Sequence, residues 1–379
     1  MRAVRRPSER SGSILVITLL MMVAMLIIVA MAVDLGYVQV AATEMQRSAD
    51  AAAEAAAWNL LNAQSPGRTV SQSTLDAVRS TAGQYAGLNR VAQAAPGLAL
   101  EDAVIGSLVY PYSHTSLTFG DLSRYNAVSV HVRRTASQNG EIGLFFARVM
   151  RINSCPLEVQ ATAAFCNNVI GFRFPSTGQN LGFMPFALDK ETWDALIAGG
   201  GTDEYRFDSA TGGVVSGTDQ IKEANLYPQG TGSPGNRGTV NIGASNNSTA
   251  HISSQIRNGL TEADLAFHGG ELKLDANGHL FLGGDPGISA GVKDDLASII
   301  GQTRIVPLFD QVTGNGNNAV YRIVGFAGVR ILSVKLTGSM SQKKVMLQPA
   351  PVVMDSGAIP STSGTPTSTF VYSRAILVK

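Results

Sequence analysis

A run of twenty uncharged residues, 14–33, constrains this chain more than any other part of its sequence. As an α-helix rising 1.5 Å per residue, the run is about as long as the ~30 Å hydrocarbon core of a bilayer. This length predicts one transmembrane helix and makes the lipid bilayer an expected partner. No helix-breaking residue separates the run from the alanine-rich stretch that follows it.

The residues before the run predict its orientation. Residues 1–13 form a basic tail. Its charged residues are Arg2, Arg5, Arg6 and Arg10, against a single acidic residue, Glu9. By the positive-inside rule, the tail is expected in the cytoplasm. The chain would then cross the inner membrane once, with its bulk in the periplasm.

A cleaved signal peptide is the alternative to a retained anchor. Ala30-Met31-Ala32 offers the small-residue pattern that signal peptidases cut. However, the apolar run exceeds the roughly 7 to 15 residues of a signal-peptide core, and no turn separates it from the next helix. We therefore expect the segment to be retained as an anchor.

Residues 34–63 predict an amphipathic helix that continues the first one. Alanine costs least of all residues in a helix, and Pro66-Gly67 is the first strong stop signal. A polar stripe contains Thr43, Arg47, Asp50 and Glu54. On the opposite side, Ala49, Ala53 and Ala57 repeat every fourth residue, which allows close approach of a second surface. That face either docks on the chain's own domain or packs against neighbouring subunits in self-association.

Three short motifs around these helices resemble a known family. They are Arg10-Ser11-Gly12 before the apolar run, Asp34-Leu35-Gly36 after it, and Met45-Gln46-Arg47-Ser48-Ala49-Asp50-Ala51-Ala52-Ala53. Together they resemble the N-terminal segment of the TadG-like proteins of the Tad (tight adherence) Flp-pilus assembly family. Glu54 and Ser48 depart from that family's pattern, which usually has an aliphatic residue and an alanine there. Residues 100–165, including Asn126–Val130 and Leu144–Ala147, resemble the region after the motif more weakly.

The resemblance implies a structural or assembly role, with other pilus-assembly or secretion proteins as partners. It also implies an assembly or anchor motif in this chain. The residues of that motif are Arg10, Gly12, Asp34, Gly36, Gln46, Ala49, Asp50 and Ala53.

The remaining sequence predicts an α+β protein with two β-rich parts, a small sheet-containing unit at 64–166 and a larger one at 167–379. A helix is expected over 74–89. Strands are expected at 103–109, 127–134, 142–149, 157–165, 305–309, 320–326, 329–336, 344–348 and 370–378. Asn139-Gly140 predicts a hairpin turn, and Asp275–Gly278 predicts a second hairpin between 271–274 and 279–282.

Charge and cysteine content exclude several classes of function. The 29 basic and 28 acidic residues nearly cancel, and no basic run interleaved with aromatic residues follows the N-terminal tail. Nucleic acid is therefore not expected as a partner.

The two cysteines, Cys155 and Cys166, flank a predicted strand that would hold them roughly 30 Å apart, so we expect them to be unpaired with each other.

One motif suggests catalysis. Gly287-Ile288-Ser289-Ala290-Gly291 fits the G-x-S-x-G pattern of a nucleophile elbow, in which a histidine follows the serine along the chain. All five histidines precede Ser289, at positions 114, 131, 251, 268 and 279. We interpret Ser289 as the N-cap of a helix that begins near Val292.

Other motifs suggest ligands only weakly, and no cofactor or metal is expected. Gly314–Ala319 spells G-x-G-x-x-A but precedes a predicted strand rather than the helix that a dinucleotide site needs, so it predicts a turn. Lys335 stands at the position where the metal loop of a von Willebrand factor A domain has a metal-binding aspartate. Its positive charge would repel a cation, so no metal site is predicted there. Asp275, Asn277 and Asp285 carry oxygen ligands suited to calcium, although turn chemistry explains the first two equally well.

These observations favour a membrane-anchored structural or assembly component without enzymatic activity. The alternative is a membrane-anchored surface binding or adhesion module, with residues 167–379 as its ligand-binding part. A serine hydrolase using Ser289 is a distant third.

Overall fold

The computed structural model describes residues 11–111, 116–227, 238–243, 248–314, 316–363 and 365–378. Residues 1–10 of the basic tail, including Arg10, lie outside these residues, as does His114. The chain divides into two compact units that interleave along the sequence. Unit 1 comprises Met1–Ala55, Arg79–Val104 and Ser129–Thr162, and unit 2 comprises Ala56–Val78, Ile105–Val128 and Ala163–Lys379. The sequence-based boundaries at 34–63, 64–166 and 167–379 stay predictions.

The apolar run and the alanine-rich stretch form one helix, α1, which spans Ser11–Ala63 and is 53 residues long. The predicted continuous rod is therefore confirmed. Within the apolar run, the Thr18 hydroxyl donates to the carbonyl of Ile14 at 2.8 Å, so the side chain adds no unpaired polar group. After the helix ends, Gly67 adopts a φ of 73°, a conformation that glycine accepts without a Cβ penalty.

The other helices are short. They are α2 (Gln72–Leu88), α3 (Lys190–Ile197), α4 (Thr249–Asn258), α5 (Glu262–Ala266) and α6 (Lys293–Ser298). Single 3-10 turns occupy Leu100–Asp102, Leu122–Arg124, Ala147–Met150, Ala290–Val292, Gly316–Asn318 and Met340–Gln342. The helix predicted over 74–89 is confirmed by α2.

The strands confirm the α+β class. They are β1 (Ala103–Gly106), β2 (Ala127–Arg134), β3 (Ile142–Gly143), β4 (Ser154–Cys155), β5 (Leu157–Ala164), β6 (Val169–Arg173), β7 (Leu188–Asp189), β8 (Tyr205–Asp208), β9 (Gly213–Ser216), β10 (Ala224–Tyr227), β11 (Thr239–Val240), β12 (Glu271–Lys273), β13 (Leu280–Asp285), β14 (Thr303–Thr313), β15 (Ala319–Lys335), β16 (Lys344–Pro349), β17 (Val352–Met354), β18 (Ala358–Pro360), β19 (Ser368–Thr369), β20 (Val371–Ser373) and β21 (Ile376–Val378).

In unit 2, an eight-stranded sheet is built around the 17-residue strand β15. The path β10-β16-β15-β13-β11 is antiparallel, and β14 pairs with both β15 and β7. The neighbours Phe326 and Ala327 on β15 belong to different hydrophobic clusters, as expected where successive side chains point to opposite faces. Phe172, Phe183 and Phe326 meet edge to face in one cluster, with ring centroids 4.8 to 6.1 Å apart.

The hairpin predicted between 271–274 and 279–282 is wrong, although its turn is correct. Gly278 donates to the carbonyl of Asp275 at 3.0 Å, closing the turn. The flanking strands then separate, because β12 pairs with β6 while β13 pairs with β15 and β11. Each strand pairs with a strand elsewhere in the chain, and local turn chemistry cannot reveal that pairing.

Four further predictions about strands and their pairing need correction. Asn139 and Gly140 do have positive φ, of 60° and 69°, but β3 pairs with β4 rather than with β2. The strand expected over 142–149 ends at Gly143, because the next residues form a 3-10 turn. The strands expected at 320–326 and 329–336 are one strand, β15, whose glycines did not interrupt it. The strand expected over 370–378 is divided into β20 and β21.

Candidate functional site: the exit of α1 from its apolar segment

The first part of α1 exposes every large apolar side chain that it carries. From Ile14 to Val33 these side chains are 45% to 71% exposed. Of the residues that the structure describes, α1 is the one helix long and apolar enough to cross a membrane, judged by length and composition. Such a surface is unfavourable in water, since each buried CH₂ group gains about 0.8 kcal/mol on leaving it.

Asp34 is the first charged residue after this surface, and its side chain is buried, with 6% exposure. Its carboxylate accepts hydrogen bonds from three consecutive backbone N–H groups of a distant loop. Phe145 donates to Oδ1 at 2.8 Å, Ala147 donates to Oδ2 at 2.7 Å, and Phe146 lies within 3.2 Å of both oxygens. These N–H groups start the 3-10 turn Ala147–Met150, whose own N-cap residue, Phe146, provides no side-chain cap. Asp34 therefore caps that turn from another element.

The charge of this carboxylate is stabilised by its surroundings. Burial raises the pKa of Asp34, but the N–H groups of Ala147, Phe145 and Phe146 and the positive charge of Arg148 outweigh it and lower the pKa below its usual value. The carboxylate is thus ionised at neutral pH and keeps its full capacity to accept hydrogen bonds. We call this set of contacts, between Asp34 and residues 145–147, the Asp34 clamp.

An aromatic contact supports the clamp one turn further along α1. The ring of Tyr37 meets that of Phe145 edge to face, with centroids 5.0 Å apart. Gly36 lies between these two attachment points, and open space surrounds the position where its side chain would be. The backbone of α1 is therefore fixed to the loop on one side and free on the Gly36 side.

The second part of α1 is packed against the rest of the chain through small side chains. Its buried residues are Ala41, Met45, Ser48, Ala49, Ala52, Ala53, Ala56, Ala57, Leu60 and Leu61. Within unit 1, the Ser48 hydroxyl donates to the carbonyl of Ala86 on α2 at 3.1 Å, and Glu44 Oε2 accepts from the N–H of Ala92 at 2.7 Å. Small residues allow this close approach of backbone to helix.

A protein-family model matches residues of this same helix. Residues 12–59 match the Tad family model. The description of that model reads "Putative Flp pilus-assembly TadE/G-like". No curated protein and no solved structure matches the chain.

The Tad segment, residues 12–59, contains most of the predicted motif, and the structure gives its members different environments. Gly12 lies in the first turn of α1, and Arg10 lies outside the described residues. Asp34 forms the clamp. Gln46 and Asp50 bond to each other at 2.8 Å on the outer side of the helix. Ala49 and Ala53 are completely buried, so this chain itself covers the small-residue face, which is the first of the two arrangements left open by the sequence.

The partners of the Tad segment could not be identified from the sequence. Leu144–Ala147 resembles the family only weakly. Its residue types contain no pattern that links it to Asp34, which lies more than a hundred residues away. The clamp uses backbone N–H groups, which every non-proline residue has. Residue type therefore carries no signal for it.

The serine of the G-x-S-x-G motif has a structural position. Ser289 caps the 3-10 turn Ala290–Val292 and accepts from the N–H of Gly291 at 3.2 Å. Ser289 is thus an N-cap, but of this 3-10 turn rather than of the predicted helix: α6 follows directly, and its own N-cap residue is Val292. Asp275 likewise uses Oδ1 to accept from the N–H groups of Asn277 and His279, which is turn chemistry. Within the described residues there is no cluster of three or more His, Cys, Asp or Glu side chains suited to a metal.

Unit 2 contains a cavity of about 700 Å³ whose wall includes Leu196, Thr202, Glu223 and Lys344. Burial raises the pKa of Glu223, while the N–H groups of Tyr205 and Glu204 act in the opposite direction. Those N–H groups donate to Oε1 of Glu223 at 2.6 and 3.1 Å. The most buried charge of this cavity is therefore already used to hold its own wall together.

Proposed function

We propose that this protein is a membrane-anchored structural or assembly component of a Tad/Flp pilus or a related secretion system. One observation carries the proposal: the Tad match falls on α1, the helix that has both the exposed apolar surface and the buried small-residue face. An anchor that is continuous with the core of a folded body is suited to holding that body at a membrane.

The geometry supports a mechanical role for the anchor. A helix that left the bilayer through a flexible linker would let the body move independently of the membrane. Here α1 continues without a break, and the Asp34 clamp joins its exit point to the 145–147 segment of unit 1. A displacement of the membrane segment would therefore be transmitted to unit 1. That property is useful in an assembly that couples inner-membrane events to an external fibre.

We further propose that the basic tail stays in the cytoplasm and that residues 35–379 lie outside it, in the periplasm. The four arginines of the tail support this orientation through the positive-inside rule. The exposed side chains of residues 14–33 would then face lipid and the membrane helices of pilus-assembly or secretion partners.

We also propose that the protein has no enzymatic activity. The hydroxyl of Ser289 has a sufficient role as a cap. A Ser289→Ala variant should accordingly support pilus assembly as well as the unsubstituted protein.

Deletion of the gene with plasmid complementation tests the proposal. Cells without the protein should lose surface pili in electron micrographs, and the full-length chain or Ser289→Ala should restore them. Normal pili and normal secretion in the deletion strain would refute an assembly role. Failure of Ser289→Ala alone, with the variant present at normal amounts, would instead indicate catalysis.

The cavity in unit 2 favours a second candidate, a surface binding or adhesion module. Photo-crosslinking in cells separates it from the first. A photoreactive amino acid at Leu20 should capture membrane components of the pilus apparatus, whereas one at Met346, in the wall of the cavity, should not. Capture of a host or surface ligand only from Met346 would favour the binding module.

A further inference from the structure

The loop that the Asp34 clamp holds has an unusual surface. Residues 145–152, which we call the exit loop, expose five large apolar side chains within eight positions. These are Phe145, Phe146, Val149, Met150 and Ile152, with Val149 90% exposed. An apolar cluster this dense on a water-facing loop marks a contact surface.

The position of the exit loop along α1 is fixed by hydrogen bonds. Asp34 directly follows Val33, the last residue of the uncharged run, and it binds the N–H groups of Phe145, Phe146 and Ala147. The start of the loop is therefore level with the end of the apolar segment, to within about one helical turn, or about 5.4 Å. If residues 14–33 cross a bilayer, the start of this loop meets the interface of that bilayer.

The backbone of the exit loop is also prepared for such an environment, where unpaired polar groups are costly. Asp34 receives the first three N–H groups. Val149 donates to the carbonyl of Phe146 at 3.1 Å, Arg151 donates to Arg148 at 2.9 Å, and Ile152 donates to Ala147 at 3.1 Å. The loop satisfies these donors internally while turning its side chains outward.

The charges of the loop complement a lipid surface. Arg148 and Arg151 stand among the apolar residues, and neither is buried. Long basic side chains place their aliphatic stems in the apolar region and their charge at the headgroups, where phosphate accepts their hydrogen bonds. Tyr37, an aromatic residue beside the loop, is a residue type enriched at this depth.

We propose that the exit loop inserts its apolar side chains into the headgroup and upper acyl region of the bilayer that α1 crosses. The loop and helix would then form a two-point membrane contact that limits tilting of unit 1. This inference rests on the proposed membrane anchor, because the clamp defines the depth of the loop only relative to α1.

Tryptophan quenching in proteoliposomes tests the loop and the anchor separately. Full-length protein carries Phe146→Trp in the loop, Val23→Trp in the span or Leu88→Trp as a control, and the signal of the native Trp58 and Trp193 is subtracted using the unsubstituted protein. Leu88 is an exposed apolar residue on α2, whose Ala86 bonds to Ser48. Ser48 lies fourteen residues beyond Asp34, which places Ala86, two residues before the control, about 21 Å further along the axis of α1.

Phospholipids brominated near the glycerol end of the acyl chain should strongly reduce the fluorescence of Phe146→Trp and leave that of Leu88→Trp unchanged. Phospholipids brominated near the chain middle should act mainly on Val23→Trp. If Val23→Trp is quenched while Phe146→Trp behaves like Leu88→Trp, the loop proposal is overturned and the anchor stands. If Val23→Trp is not quenched, the membrane anchor itself fails, and the loop proposal fails with it.

A second substitution guards against an accidental contact. Val149→Asp, placed in the Phe146→Trp protein, puts a charge on the most exposed apolar position of the loop without touching the clamp. It should reduce the quenching of the Phe146→Trp reporter by lipids brominated near the glycerol end. Unchanged quenching would show that the reporter enters the lipid without the loop and would contradict the proposal.

Discussion

The two halves of α1 have the same backbone and opposite surroundings. Between Ile14 and Val33 the large apolar side chains are exposed, whereas between Ala41 and Leu61 the buried residues are mostly alanine. The more apolar half is thus the one that the chain leaves uncovered. Hydrophobicity alone therefore does not decide burial within this protein; under the proposed membrane anchor, the two halves would meet different solvents.

The difference follows from side-chain size as well as polarity. Large apolar side chains on all sides of a helix gain favourable contacts from lipid on all sides. Alanine on one side offers little area per residue, but it lets other parts of the chain reach the helix backbone, as Ser48 and Ala86 do. One helix can therefore serve two solvents, provided the change of residue size coincides with the change of environment.

The largest expected effect comes from placing charge in the uncovered half. Val23→Arg combined with Ile27→Arg should abolish membrane integration, since each arginine near the helix centre costs about 2.5 to 3.5 kcal/mol on insertion scales. The measurement is the fraction of protein that resists extraction by alkaline carbonate.

The matched control for this pair lies on the same helix. Val40→Arg combined with Thr43→Arg also adds two arginines at exposed positions, but beyond Asp34. This variant should remain as resistant to extraction as the original protein. Equal release of both variants would mean that the two halves meet the same solvent.

An intermediate effect is expected from enlarging a side chain in the covered half. Ala49→Leu should lower the free energy of unfolding by about 1 to 3 kcal/mol, because Ala49 is completely buried and added methylene groups at a packed position force its neighbours to shift. Thermal unfolding in detergent, followed by circular dichroism, measures the change.

Ala51→Leu provides the comparison, since Ala51 is two residues away on α1 and partly exposed. Its effect should stay within about 0.5 kcal/mol, as is usual for substitutions at the surface. If both variants unfold like the original protein, the small-residue face is not packed as the structure has it.

The smallest effect is expected at the junction of the two halves. Asp34→Asn should lower the melting temperature of the protein by a few degrees at neutral pH, because an amide oxygen replaces two carboxylate oxygens as acceptor. Because the pKa of Asp34 is lower in the folded protein, the clamp stabilises the fold fully above its usual value of 3.8. That contribution is lost as the pH falls through the lower folded-state pKa.

The difference in melting temperature between Asp34→Asn and the original protein should therefore be constant from neutral pH to about pH 4 and shrink in stronger acid. Asp50→Asn is the control, because Asp50 bonds only to Gln46 of its own helix among the contacts described for its side chain. A difference that grows in acid would contradict the clamp.

Local features of the fold were accessible from the sequence wherever neighbours in the chain determine them. Three such features are the continuity of α1, the cap at Ser289 and the turn at Asp275. Each depends on residues that are close together in the sequence, so the residue types there predict it. The hairpin expected after Glu271 failed for the opposite reason, because β12 and β13 choose partners far away in the chain.

The same distinction between local and distant contacts applies to the candidate site. Sequence alone determined that residues 14–33 are apolar enough to cross a membrane and that a small-residue helix follows them. Tertiary structure decided that this small face is covered by the chain itself and that Asp34 holds the exit loop. The clamp joins a carboxylate to three backbone N–H groups. Backbone donors are present at nearly every position, so only folding selects which of them Asp34 binds.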